Sequence, residues 1–141
     1  MTEPTRLCGR YIHMAAAAIS AIRTTSLNKA GIAFTQWQVL DKAPGNNRDE
    51  LIHRLVELTV DDEAGIAQAI DELSEQGLLS TDDQGKLELT TRGTVLFQQV
   101  NAIRTALHNQ LYDGIAAEDL ATTTRVLNRI TELARVAHAA Q

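Results

Sequence analysis

The stretch Asp62–Thr90, DEAGIAQAIDELSEQGLLSTDDQGKLELT, constrains this chain more than any other. Ile66, Ile70 and Leu73 recur at helical spacing, and Gly77 stands where a helix stops in the C′ position. Leu78–Thr81 and Lys86–Thr90 are short strand candidates. Asp82-Asp83-Gln84-Gly85 between them supplies turn residues and a glycine able to take positive φ. The order is helix, sharp stop, hairpin. Its charge is one-sided: from Leu55 to Gly85 there is no Lys or Arg, against nine Asp or Glu.

A chain of 141 residues holds one domain with one core. Two prolines and 44% hydrophobic residues point to a mostly helical globular protein. Met14–Ile22 is too short to span a bilayer and is flanked by Arg10 and Arg23, so no membrane partner is expected. No cleavable signal pattern is present, and the cytoplasm is the expected location. The single cysteine, Cys8, excludes an internal disulfide or a cysteine-based zinc site. The net charge of −5 is unevenly spread. Residues 30–92 carry five bases and thirteen acids, whereas the rest carries eight bases and five acids.

A first helix is expected from roughly Thr5 to Thr25, with Leu7, Tyr11, Met14, Ala18 and Ile22 on one face and Ile12, Ala15 and Ile19 on a second. A helix apolar on two faces must be covered on both. Asn28–Gly31 breaks it. A short helix carrying Trp37, Val39 and Leu40 follows; Thr35 with Gln38 fits a capping box, or the helix begins a turn earlier. Ala43–Asn47 is a turn cluster. Asn47 caps a third helix, Arg48–Glu57, with Leu51, Ile52 and Leu55 inward. After the turn Thr59–Asp62, Asp61 or Asp62 caps the fourth. Thr90 caps a fifth helix with Leu96, Val100, Ile103, Leu107 and Leu111 along its stripe. A sixth, Glu118–Ala139, repeats at Leu120, Leu127, Ile130, Ala134 and Ala137, a near-heptad spacing that suggests helix-on-helix packing.

From Gly31 to Val136 the chain resembles the multiple-antibiotic-resistance regulator (MarR) family. Gly31-Ile32, Gln36-Trp37 and Val39-Leu40 are similar to its second-helix pattern, and Glu50-Leu51 opens a helix where its third begins. Gly65–Leu73 with Gly77-Leu78-Leu79 is similar to its DNA-reading helix and following strand, and Leu89-Thr90-x-x-Gly93 to the exit of its wing. The resemblance implies a mostly α fold with a small β wing: one winged helix-turn-helix domain over residues 1–141. Residues 1–30 would form an N-terminal dimerisation helix, 31–92 the winged module and 93–141 the C-terminal dimerisation helices. It implies a homodimer that binds double-stranded DNA, a repressor relieved by a small aromatic effector.

The charge departs from that pattern. Gln68, Glu72 and Gln76 stand where the family frequently has Arg or Lys, and the wing tip carries only Lys86. Non-specific affinity for DNA comes from neutralising phosphates, so the module should bind weakly or at low salt. The candidate DNA contacts are Arg48, Arg54 and Lys86 to the backbone, Gln68 to an adenine edge, and Gly65 and Ala67, whose small size permits close approach to a groove. The competing reading is a regulator-like module that works through protein contacts after losing DNA binding.

The resemblance places the Trp37 region near a crevice where small aromatic effectors bind, and so implies Trp37, with Tyr11 and His13 approaching from the first helix, as the effector wall; the alternative for Trp37 is plain core. Cys8 near Tyr11, with Arg6 and Arg10 in reach, faintly resembles a peroxide-sensing arrangement, although an incidental cysteine fits as well. The four histidines are scattered over separate helices, and no spacing suggests a metal site, a nucleophile–base pair or a cofactor fingerprint. Neither a cofactor nor an enzymatic activity is expected.

Overall fold

The computed structural model describes residues 7–58 and 61–141. Thr5 and Arg6 of the expected first helix, and Thr59 of the expected turn, lie outside the described residues. The elements in chain order are α1 (Gly9–Lys29), α2 (Phe34–Lys42), α3 (Arg48–Leu58), α4 (Glu63–Glu75), β1 (Leu79–Thr81), β2 (Leu87–Leu89), α5 (Thr91–Tyr112) and α6 (Ala117–Ala139). The chain groups into two compact units, residues 1–104 and 105–141, the boundary falling within α5.

Local chemistry sets most of the boundaries. α1 runs a turn beyond Thr25, whose hydroxyl bonds back to the Ala21 carbonyl, and is held there by the burial of Leu27. It ends with Gly31 at φ 76° and the Ile32 N–H donating 3.1 Å to the Leu27 carbonyl, a left-handed stop of the Schellman kind. The same device ends α4: Gly77 has φ 75°, and the Leu78 N–H reaches the Leu73 carbonyl at 2.9 Å. Gln36, the third residue of α2, accepts the Ala33 N–H at 3.0 Å, so α2 starts earlier than a Thr35–Gln38 box would place it. Asn47 and Glu50 form a reciprocal box at the head of α3, with bonds of 2.8 and 3.3 Å. Asp62, rather than Asp61, caps α4 by accepting the Gly65 N–H at 2.8 Å.

The core lies within the first unit. Trp37, Val39 and Leu40 of α2, Leu51 and Leu55 of α3, and Ile66, Ala69, Ile70 and Leu73 of α4 are buried together with Leu78, Leu79, Leu87 and Val100. β1 and β2 pair antiparallel, with Leu79 opposite Leu89 and Thr81 opposite Leu87. The loop before α3 lies along the other edge of β2: the Gly45 N–H donates to the Leu87 carbonyl at 3.1 Å and the Leu87 N–H to the Asn46 carbonyl at 2.8 Å. At the hairpin tip Asp82 accepts the Gln84 and Lys86 N–H groups, and Gly85 takes φ 80°. Within the second unit, α6 buries no residue, and Leu127 and Leu133 are among its exposed apolar side chains.

The root of the hairpin is the tightest crossing in the first unit. The Thr90 hydroxyl donates to the Gly77 carbonyl at 2.6 Å and accepts the Gly93 N–H at 3.0 Å. Arg92 donates to the Gln76 carbonyl at 3.0 Å. Gly93 lies so close to the backbone after α4 that a Cβ there would stand 2.0 Å from the Leu78 carbonyl oxygen. This gives the Leu-Thr-x-x-Gly motif a physical reason: one residue caps α5 and the other permits the approach. Gly93→Ala should therefore cost at least about 1–3 kcal/mol, the range for overpacking a filled site. Urea unfolding checks this, and an unchanged midpoint would show that the crossing opens without penalty.

Candidate functional site

α4 presents its apolar side to α2 and α3, which turns Gln68, Asp71, Glu72 and Glu75 away from the core. Gln68, the polar side chain of this face expected to meet DNA, has a partner. Gln68 donates 2.9 Å to one oxygen of Glu72, and Gln36 of α2 donates 3.0 Å to the other. Glu72 thus ties the head of α2 to the candidate reading side chain. A second tie between the same regions runs from the Thr35 hydroxyl to the Asp61 carboxylate.

Two bases of the module are held in the same way. Arg48 donates from both terminal nitrogens to Asp71, at 2.6 and 3.3 Å, a fork-to-fork pair between α3 and α4. Lys86, just before β2, donates 3.2 Å to Glu50 of α3. Arg54 is exposed and forms no ion pair among the described residues. Gly65 sits in the capped first turn of α4, where a Cβ would meet the capping oxygen of Asp62 at 3.3 Å. Ala67 lines a broad, open hollow between α3 and α4 together with Asp49, Ile52, His53, Glu63 and Ala64. The hollow carries two carboxylates and no Lys or Arg.

Trp37 belongs to a different constellation. It is 5% exposed and stacks between Phe34 and Phe97, with ring centroids 6.3 and 6.4 Å away. Arg104 of α5 stands over its ring at 4.9 Å, and Arg23 of α1 over the Phe34 ring at 3.8 Å. The Trp37 indole nitrogen and the Arg23 Nε are both buried without a hydrogen-bond partner among the described residues. Burial also pulls the Arg23 guanidinium below its ordinary value. Buried donors left unmatched are rare in folded proteins, because each gives up its water without replacement. Three aromatic rings, two cations and two free donors together make a setting suited to a flat, anionic aromatic molecule.

Tyr11 and His13 do not join this cluster. Both are exposed on α1. They precede Arg23 by twelve and ten residues, roughly 15–18 Å along a helix rising 1.5 Å per residue. The residue that α1 contributes is Arg23, whose role depends on α1 packing against α2 and is invisible to local spacing. Cys8 is exposed at the head of α1, where its side chain makes no capping bond. Arg6, proposed to activate it, lies outside the described residues. Among the described residues no group of three or more His, Cys, Asp or Glu is placed to hold a metal ion, and no helix is long and apolar enough to cross a membrane.

No family model and no curated protein matches the sequence. Solved structures do match. CouR from Rhodococcus jostii RHA1, solved bound to p-coumaroyl-CoA, superposes with a TM-score of 0.70 at 20% identity over 86% of this chain and 90% of its own. The Mycobacterium tuberculosis MarR-family protein Rv2887 in complex with DNA gives 0.69 at 16% identity, over 89% of this chain and 98% of its own. Reduced MarR from E. coli gives 0.67 at 22% identity, over 90% and 95%. The chain has the winged helix-turn-helix fold of the MarR-family regulators.

The Arg48–Asp71 pair has a measurable signature. Hydrogen bonding to Arg48 holds the Asp71 carboxyl below its ordinary value of 3.8. A depressed folded value means that the pair's stabilisation is complete above the ordinary value and is lost as pH falls through the folded one. Both partners are exposed, so the contribution is small. Carboxyl titration by NMR should place Asp71 below the ordinary value and return it upward in Arg48→Ala. An Asp71 titration identical in the two proteins would show that the pair does not persist in solution.

Proposed function

We propose that this chain is a homodimeric, DNA-binding transcriptional regulator, a repressor relieved by a small aromatic anion, with no enzymatic activity. The observation that carries the reading is the coexistence of two features. One is a helix–hairpin module whose fourth helix turns a polar face outward. The other is the Phe34–Trp37–Phe97 cluster, with Arg23 and Arg104 over its rings and two buried donors unmatched. The neighbours support both halves. Rv2887 has been solved with DNA, with salicylic acid and with p-aminosalicylic acid, and CouR with p-coumaroyl-CoA. Trp37 would be the aromatic wall of the effector site, with Arg23 offering its Nε–H to the anionic group. Arg48, Arg54, Lys86 and Gln68, with the small Gly65 and Ala67, are the proposed DNA contacts. The single-domain division into 1–30, 31–92 and 93–141 is kept as part of this reading.

The link between the halves runs along α2. Trp37 and Gln36 are adjacent, and Gln36 reaches Gln68 through Glu72. A ligand that shifts Trp37 therefore acts one residue from the group that braces the reading helix. The second reading, a module that has exchanged DNA binding for protein contacts, is favoured by the carboxylate partners of Arg48 and Lys86. Thiol sensing through Cys8 has only the exposure of that residue behind it.

The deciding measurement is fluorescence anisotropy of the duplex upstream of the protein's own gene, from low to physiological salt, combined with Trp37 emission. Salicylate or a p-hydroxycinnamate should change Trp37 emission and weaken DNA binding together, and DNA should weaken the ligand by the same factor. Both signals flat across a panel of aromatic carboxylates and their acyl thioesters would return Trp37 to a purely structural role. Failure of every duplex to bind at low salt would favour the protein-contact reading.

Assembly has its own test. Tyr11 and Met14 on α1, and Leu127, Leu133 and Val136 on α6, are exposed in the single chain and need cover. Light scattering at micromolar concentration should report a dimer, and a stable folded monomer would contradict the proposal.

A further inference from the structure

The carboxylates that hold Arg48 and Lys86 are placed as phosphates would be. Asp71 offers two oxygens to the two terminal nitrogens of Arg48, at 2.6 and 3.3 Å, the bidentate geometry of a guanidinium on a phosphate. Glu50 offers one oxygen to the Lys86 ammonium at 3.2 Å. All four side chains keep between 38% and 57% of their exposure, so a phosphate can reach each cation from solvent. The two pairs lie on the same module, one joining α3 to α4 and the other joining α3 to the hairpin. We propose that Asp71 and Glu50 are intramolecular stand-ins for DNA phosphate, displaced when a duplex recruits Arg48 and Lys86, and that they set the affinity and salt range of DNA binding.

This rests on the DNA-binding reading and adds to it a reason for the acidic module. The surrounding charges favour the closed state. Asp49 adds its attraction for Arg48, and both stand-in carboxylates are held below their ordinary values by their partners, so they stay ionised at neutral pH. A duplex must therefore exchange a carboxylate for a phosphate at each cation, instead of filling an open site. Opening one exposed pair costs a factor of about 1.4 to 5 in the binding constant, and a twofold dimer incurs it on both protomers. While a pair persists, its base neutralises no phosphate and releases none of the cations condensed on the DNA, so the salt dependence should be shallow.

The test compares the full-length wild type with Asp71→Asn, Glu50→Gln, Arg48→Ala and Arg48→Ala/Asp71→Asn, by anisotropy on the upstream duplex at several salt concentrations. Asp83→Asn is the control, because it removes one negative charge at the hairpin tip from a residue that pairs with no base among the described residues. Circular dichroism confirms that each variant is folded. Glu50→Gln keeps an oxygen for the Asn47 N–H, and so gives an arm independent of Asp71. Asp71→Asn and Glu50→Gln should each tighten binding about two- to tenfold beyond Asp83→Asn, and steepen the salt slope by about 0.9 for each cation released. In the Arg48→Ala background the gain from Asp71→Asn should fall to that of the control. Binding by the two variants where wild type shows none would support the stand-ins equally. A wild type that binds, with Asp71→Asn and Glu50→Gln no better than the control, overturns the stand-ins and leaves DNA binding intact. No binding by wild type or any variant at low salt overturns both.

Discussion

The packing of one helix face orders everything else in the winged module. Ile66, Ala69, Ile70 and Leu73 are buried against α2 and α3, and each fully buried aliphatic side chain contributes about 1.5–3 kcal/mol over leaving it in water. The helical period then leaves no freedom about what points outward. With those four positions inside, Gln68, Asp71, Glu72 and Glu75 are outside. The hydrophobic effect carries no information about DNA, yet it decides which side chains a duplex would meet. The charge conflict of the sequence is therefore a property of a real surface.

That surface is acidic without being a bare run of repelling carboxylates. Asp71 and Glu50 are each paired with a base, Asp62 caps a helix, Asp82 closes a turn, and Glu72 joins two amides. Each of these five acids has a task within the fold, so negative charge here follows partly from how the module is fastened together. A module fastened with Lys and Arg on its outer face would be stickier to any polyanion. Of the five bases here, Arg48 and Lys86 are held by carboxylates of other elements, and Arg54 is exposed on α3.

Features decided within a few residues of chain were legible from the sequence. Asn47 and Thr90 as caps, Gly77 as a stop and Gly85 in the hairpin all follow from local stereochemistry, and the core positions of α3 and α4 follow from spacing. What depended on tertiary proximity was not. Arg23 looked like a flanking charge on α1 until packing placed it over Phe34, and Arg104 was one polar residue on a long helix until it came to lie over Trp37. Arg48 and Asp71 are 23 positions apart. No window of sequence says that they meet. Glu72 stands where the family frequently has a base, and only the fold shows that it is shared between Gln36 and Gln68. The Thr35–Gln38 spacing fits a capping box as well as an earlier start does; the Thr35 hydroxyl goes to Asp61, and the cap falls two residues sooner, at Ala33.

The crossing at Gly93 bears on how such a module can evolve. The hairpin is anchored by backbone at one glycine and by one hydroxyl at Thr90, and neither uses a side chain of the hairpin itself. Residues 82–86 can therefore change in length, charge or sequence without disturbing the anchor. A lineage carrying this chain can re-tune what its hairpin touches by altering the tip alone, while the root holds the same register against the fourth helix. The acidity of the tip is then independent of the mount that carries it, and selection could shift it in either direction without rebuilding the fold.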